Sequence, residues 1–184
     1  MSWLCHHAPV SAAHIGQPAT QDDIAVVEAL LDRPLPADLV AWWRRSCGAT
    51  GFVQGRLIPG YTPCTVDQAV DHRELMLDIA SCQDRAETAT LVATPAGSPR
   101  TPYWLPVWLP IAHDGGGCNL FIDLRPGPLH GCVMQWDKYE AAGLKPRWPS
   151  VATMLAEIAH ALQHHTDVDG YQPEALDDGT LDWV

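Results

Sequence analysis

After Arg147 this sequence contains no lysine or arginine. The same stretch holds seven acids, Glu157, Asp167, Asp169, Glu174, Asp177, Asp178 and Asp182, and so carries −7 of a net charge of −11. Residues 1–147 set 15 acids against 11 bases. A chain so poor in cations is unsuited to a nucleic-acid backbone or an anionic membrane surface, both of which are bound through Lys and Arg. A basic protein partner remains open. Also lacking is any apolar run long enough to span a membrane. The start, Met1-Ser2-Trp3-Leu4-Cys5-His6-His7, has neither the basic nor the apolar region of a signal peptide. No Cys-x-x-Cys pair occurs; cysteines at 5, 47, 64, 82, 118 and 132 are scattered. That pattern predicts reduced, partly buried thiols in a cytoplasmic protein. Internal repeats and a Gly-x-Ser-x-Gly nucleophile motif are absent.

What is present suffices for a core. Hydrophobic residues make up 47% of the 184 positions, with eight tryptophans. One domain of about 150 residues with extensions is the simplest division: an N-terminal extension over 1–20, an α+β domain over 21–166, and an acidic tail over 167–184. Thr20 can cap a helix over 21–32, with Asp22 and Asp23 at its positive end and Ile24, Val27 and Leu31 on one face. Pro34 ends it. Pro36 opens a second helix carrying Leu39, Trp42 and Trp43 inward, terminated near Gly48. A strand is expected near 52–58, then a third helix over about 66–83 capped by Thr65, with Val66, Ala69, Val70, Leu77 and Ala80 as its stripe. The proline-rich stretch 93–102 reads as a surface loop. Strands near 104–112, 118–124 and 131–136 form a meander, and Ser150 caps a last helix over 151–165. This order predicts a largely antiparallel twisted sheet with helices mainly on one face.

The most informative stretch runs from Trp108 to Leu124. Two strand-like runs flank Asp114-Gly115-Gly116-Gly117, and consecutive glycines supply positive φ wherever a hairpin turn needs it. A phosphate cradle is the rival reading, since glycine frees backbone N–H groups to bind anions. It lacks the following Lys-Ser/Thr pair and helix, and Asp114 would repel phosphate.

Trp108-x-Pro110-Ile111-Ala112-x-Asp114-Gly115-Gly116-Gly117, followed by Leu120-Phe121-Ile122-Asp123-Leu124, resembles the central signature of the SUKH superfamily. Leu35-Pro36-Ala37-Asp38-Leu39 with Cys47-Gly48-Ala49, then Ile58-Pro59-Gly60-Tyr61, then Gly131-Cys132-Val133-Met134-Gln135-Trp136-Asp137 stand in the order that superfamily shows. The resemblance spans roughly residues 21 to 165. It implies the fold read above and a role without catalysis. Bacterial members are immunity proteins that neutralise cognate toxins, often nucleases, and yeast relatives are cell-wall assembly regulators.

Two clusters offer other chemistry. Glu157, His160 and His164 share the polar side of the last helix and could hold Zn²⁺, but a second Glu-x-x-His for a carboxylate-bridged site is missing. His113 and Cys118 flank the hairpin and could form a thiolate–imidazole pair, with nothing evident to lower the thiol pKa. A solvated helix face and a plain turn are the simpler readings. The expectation is therefore a binding protein with no catalytic residue, metal or cofactor. Its partner is a basic toxin steered by Asp167, Asp169, Glu174, Asp177, Asp178 and Asp182, with Trp183 as a contact. A regulatory scaffold, or a Cys/His or metal-dependent hydrolase, are the alternatives. Deleting residues 167–184 is expected to leave the domain folded.

Overall fold

The computed structural model describes all residues except 52–54, 82–83, 99–100 and 144. Two short helices, α1 (Ser2–His7) and α2 (Pro9–Ala13), precede α3 (Gln21–Leu31) and α4 (Ala37–Arg45). Strand β1 (Thr62–Pro63) leads into α5 (Val66–Ile79) and α6 (Arg85–Val92). Strands β2 (Trp108–His113), β3 (Asn119–Asp123), β4 (Cys132–Asp137) and β5 (Ala141–Ala142) follow, then α7 (Val151–His164) and the pair β6 (Pro173–Ala175) and β7 (Leu181–Trp183). Five strands form one antiparallel sheet in the order β1-β2-β3-β4-β5, an α+β arrangement.

The helix starts follow from their caps. Thr20 and Asp23 form a reciprocal capping box on α3, and Thr65 with Gln68 does the same on α5. Ser150 accepts from Thr153 N–H at the start of α7, while the Asp38 carboxylate of α4 accepts from Ala152 N–H at 2.9 Å. One residue thereby satisfies a neighbouring helix's free donor and fixes α4 beside α7.

All five residues of β3 are buried. Because side chains alternate along a strand, the sheet centre is covered on both faces. On one face Phe121 meets Trp108 at 4.4 Å and Trp104 at 5.0 Å between ring centroids, and Trp104 stands edge-on to Trp136 at 5.5 Å. Leu120 and Ile122 fill the other. Gly131, at φ +84°, opens β4; a Cβ there would come within 2.8 Å of the Pro36 ring, so only glycine fits the approach. Behind β3, Asp123 and Arg125 form a fully buried ion pair at 2.6 Å. The same carboxylate accepts from Gly97 N–H and the guanidinium donates to Thr94, tying the proline-rich loop to the sheet.

Several expectations need correction. The strand predicted near 52–58 lies partly outside the described residues, and 55–58 contribute only an isolated bridge from Ile58 to Tyr61. The sheet's edge is instead β1. The third helix stops at Ile79, with 82–83 outside the described residues. A separate helix, α6, follows, capped by Asp84 and burying no side chain, so it has no apolar stripe to betray it.

The expected extension and tail fold onto the rest. Ala8 and Ser11 are fully buried, and Gly16 N–H donates to Gly48 O. Residues 173–183 form a hairpin rather than a solvated tail, with Leu181 and Trp183 in the core. Val10 N–H donates to Gly179 O, and Leu181 N–H to Ser11 Oγ at 2.9 Å. The two terminal segments therefore clasp each other. A deletion of 167–184 would strip buried Val168, Leu181 and Trp183 from the core, so it no longer qualifies as a harmless truncation.

Candidate functional site

The β2–β3 turn is built around Asp114. Its Oδ1 accepts from Gly116 N–H at 2.7 Å and Cys118 N–H at 2.9 Å. Partial burial raises this carboxyl, but those backbone N–H groups outweigh it and hold the acid below its ordinary range. The loop's own carboxylate thus occupies the donors that a phosphate cradle would offer. Gly115 and Gly117 adopt φ +74° and +104°. The Lys138 stem lies against Gly117, and its ammonium donates to Gly116 O at 2.8 Å.

Beside this turn lies a groove of about 540 Å³, bounded by α5 on one side and by the ends of β2, β3 and β4 on the other. Leu75, Met76 and Ile79 supply its helical wall, and Trp136 and Lys138 its strand wall. Leu75 is 57% exposed and Ile79 69%. Arg73, one turn away and buried, donates twice to Pro106 O and pins α5 to the segment before β2. The polar side chains within are His72, His113 and Asn119. The two imidazoles meet edge-on at 4.9 Å, and His72 Nδ1 lies 3.4 Å from Asn119 Oδ1. Burial chiefly, and the neighbouring His72, lower the His113 pKa against the opposing pull of Asp114. The shift favours the uncharged imidazole at His113.

Cys118 lines this groove, but its chemistry is not that of a nucleophile. Its Sγ donates to Asp137 Oδ2 at 3.4 Å, and burial, with the Asp137 and Asp114 carboxylates, pushes the thiol pKa up. An activated cysteine requires the reverse. Burial likewise raises Cys47 to about 11 and Cys64 and Cys132 to about 12. These are packed thiols; Cys82 lies outside the described residues.

The histidine cluster of α7 is turned to local uses. Glu157 accepts from Trp148 Nε1 at 2.5 Å, His164 Nδ1 contacts His160 O at 3.0 Å, and His160 and His164 stack at 4.2 Å. Among the described residues no group of three His, Cys, Asp or Glu is arranged to hold a metal ion. None of the helices among those residues is long and apolar enough to cross a membrane.

The acids after Arg147 divide into two kinds. Asp169 pairs with Arg147 at 2.5 Å, Asp167 accepts from Gly170 N–H, and Asp178 accepts from Thr180 N–H and Oγ1, which holds its carboxyl low. Asp182 accepts from Trp183 N–H. Glu174 and Asp177 are exposed on the β6–β7 hairpin. Trp183 is only 7% exposed and belongs to the core, so its ring is not on the surface that a partner meets.

The groove itself escapes sequence reading except for one signal. Leu75 and Ile79 recur at i and i+4, outside the stripe that buries Val66, Ala69 and Met76. Two large apolar residues off the buried face mark an uncovered surface.

No curated protein matches the chain in sequence. A family model does match, over residues 18–157, and that span contains α3 through the first half of α7, the whole five-stranded sheet and every residue of the groove. The chain belongs to the SMI1/KNR4 family, SUKH-1.

Proposed function

We propose that this protein is an immunity-type binding module that captures and neutralises a basic protein toxin in the cytoplasm, without catalysis of its own. The observation that carries the reading is an acidic surface held on an ordered frame. Glu174 and Asp177 project from a hairpin anchored to Ser11, Asp178 braces its turn and Asp167 the turn that precedes it. Charges fixed in this way attract a basic partner without the ordering cost that a disordered tail would carry. The protonated, packed thiols and the locally satisfied Glu157, His160 and His164 support a role without catalysis. A nuclease is a natural target for occlusion, because the surface by which it grips nucleic acid is cationic.

The test is association kinetics against the toxin domain encoded beside the gene, across a salt series. Glu174→Gln with Asp177→Asn is expected to slow association several-fold at low salt while leaving dissociation nearly unchanged. Equal on-rates would reduce these acids to solubilising groups. A folded protein that neither binds nor neutralises that toxin would overturn the reading.

A further inference from the structure

We propose that His160 and His164, at the C-terminal end of α7, form a chelating pair for a borderline transition-metal dication such as Zn²⁺, a site independent of the toxin-binding reading above. The protein already uses one nitrogen of each ring. His164 Nδ1 stands 3.0 Å from His160 O, and a carbonyl can only accept. In the neutral ring this nitrogen therefore carries the proton and Nε2 keeps its lone pair. His160 Nδ1 lies 3.3 Å from Thr166 Oγ1, a hydroxyl able to accept in the same way. Among the described residues neither Nε2 has a protein partner, and both side chains are exposed. Metal-ligating histidines share this arrangement: one nitrogen donates to a neighbouring oxygen, which orients the ring, and the other faces the metal.

The helix brings the two rings together. Residues four apart lie one turn apart on the same face, and here the imidazoles stack at 4.2 Å between centroids, 23° from parallel. Two bonds of about 2.1 Å to one ion set its ligand nitrogens about 3 Å apart. A small rotation of the rings thus closes the pair on a cation. The electrostatics agree, because the last turn of a helix is its negative end, where a cation is stabilised. The chain has no lysine or arginine after Arg147, and the Arg147 guanidinium is held by Asp169. Imidazole nitrogen selects Zn²⁺, Ni²⁺ or Cu²⁺ over Mg²⁺ and Ca²⁺, which take oxygen ligands. Glu157, one turn back, accepts from Trp148 Nε1, and among the described residues no third His, Cys, Asp or Glu completes a set. The protein therefore supplies two ligands and water the others. The ion clips the last turn of α7, next to the left-handed cap at His165 where the chain turns toward β6.

The experiment titrates isotope-labelled full-length protein with zinc chloride and, separately, magnesium chloride, and follows the histidine ring nitrogens by long-range proton–nitrogen NMR. Zn²⁺ is expected to move the Nε2 signals of His160 and His164 before those of the other histidines, and Mg²⁺ to leave them in place. His160→Asn and His164→Asn, both at exposed positions, should each weaken Zn²⁺ binding roughly tenfold or more, the loss of the second, intramolecular ligand. Unchanged circular dichroism would certify that both variants fold. Free Zn²⁺ at about 100 times its Kd should raise the folded-to-unfolded ratio about a hundredfold in the native sequence and far less in the double variant. Ligation through Nδ1, uptake at His6 and His7 instead, equal affinity in the asparagine variants, or an equal response to Mg²⁺ would each overturn the site.

Discussion

The sheet with its glycine hairpin and the clasp of the two terminal segments are built from the same kinds of contact, yet only the first lies wholly inside the family match. Its strands pair with near neighbours, β2 with β3 and β3 with β4, across short turns whose chemistry is written locally. The clasp joins Ser11 to Leu181, 170 residues apart, through one hydroxyl and a few backbone groups. Local pairing leaves period-2 alternation and turn residues behind it; distant pairing leaves no pattern at all. Within the matched region the β2–β3–β4 meander is tied to the sequence by such local rules, whereas β1 reaches β2 across α5 and α6. The clasp completes the same core without any such rule.

Four measurements test that contrast. The largest effect is expected in the matched region from Asp123→Ala, which strands the Arg125 guanidinium in the core and frees Gly97 N–H. A loss of about 3–5 kcal/mol is expected by chemical denaturation. A loss below about 1 kcal/mol would mean that water reaches the pair. Trp183→Ala probes the clasp and should cost about 3 kcal/mol, as for a core aromatic. Fluorescence and circular dichroism should report one transition; two would show that the clasp melts apart from the sheet.

Gly117→Val follows, at roughly 1–3 kcal/mol, since a β-branched residue at φ +104° is strained and its Cβ would crowd Lys138. A neutral result would mean that the turn can rearrange. The smallest effect concerns acid. The Asp114 carboxyl titrates lower in the folded protein than in the unfolded chain. Its stabilisation is therefore complete above the unfolded value near 3.8 and fades as pH falls through the lower folded value. Asp114→Asn should flatten the fall in melting temperature below about pH 4. An unchanged acid limb would assign that fall to other carboxylates.

Legibility in the sequence follows physical range. The capping box at Thr20 and Asp23, the stripe of α7 and the turn at Asp114 were readable because each is settled within a few residues. Helix α6 was not, since it buries no side chain fully, nor was β1, two residues whose strand character comes from pairing with Ala112 and His113. The acids after Arg147 were visible as charge. Their division into bracing and free groups depends on partners such as Arg147 and Thr180. The i, i+4 spacing of Leu75 and Ile79 is local too, but it was not among the sequence expectations. The contact of His72 with Asn119 becomes apparent only when α5 and β3 are seen together.

The clasp also sets a schedule. A ribosome adding about 5–20 residues each second needs roughly 10–30 s to travel from Ser11 to Leu181. Throughout that interval α1 and α2 have been made, but Ser11 Oγ lacks its donor and Val10 N–H its acceptor on Gly179. The sheet's strands and the N-terminal segment's partners at residues 47–50 have been made by then, and only the clasp's own bonds must wait. The bonds that close the clasp therefore form only after the β6–β7 hairpin has been translated.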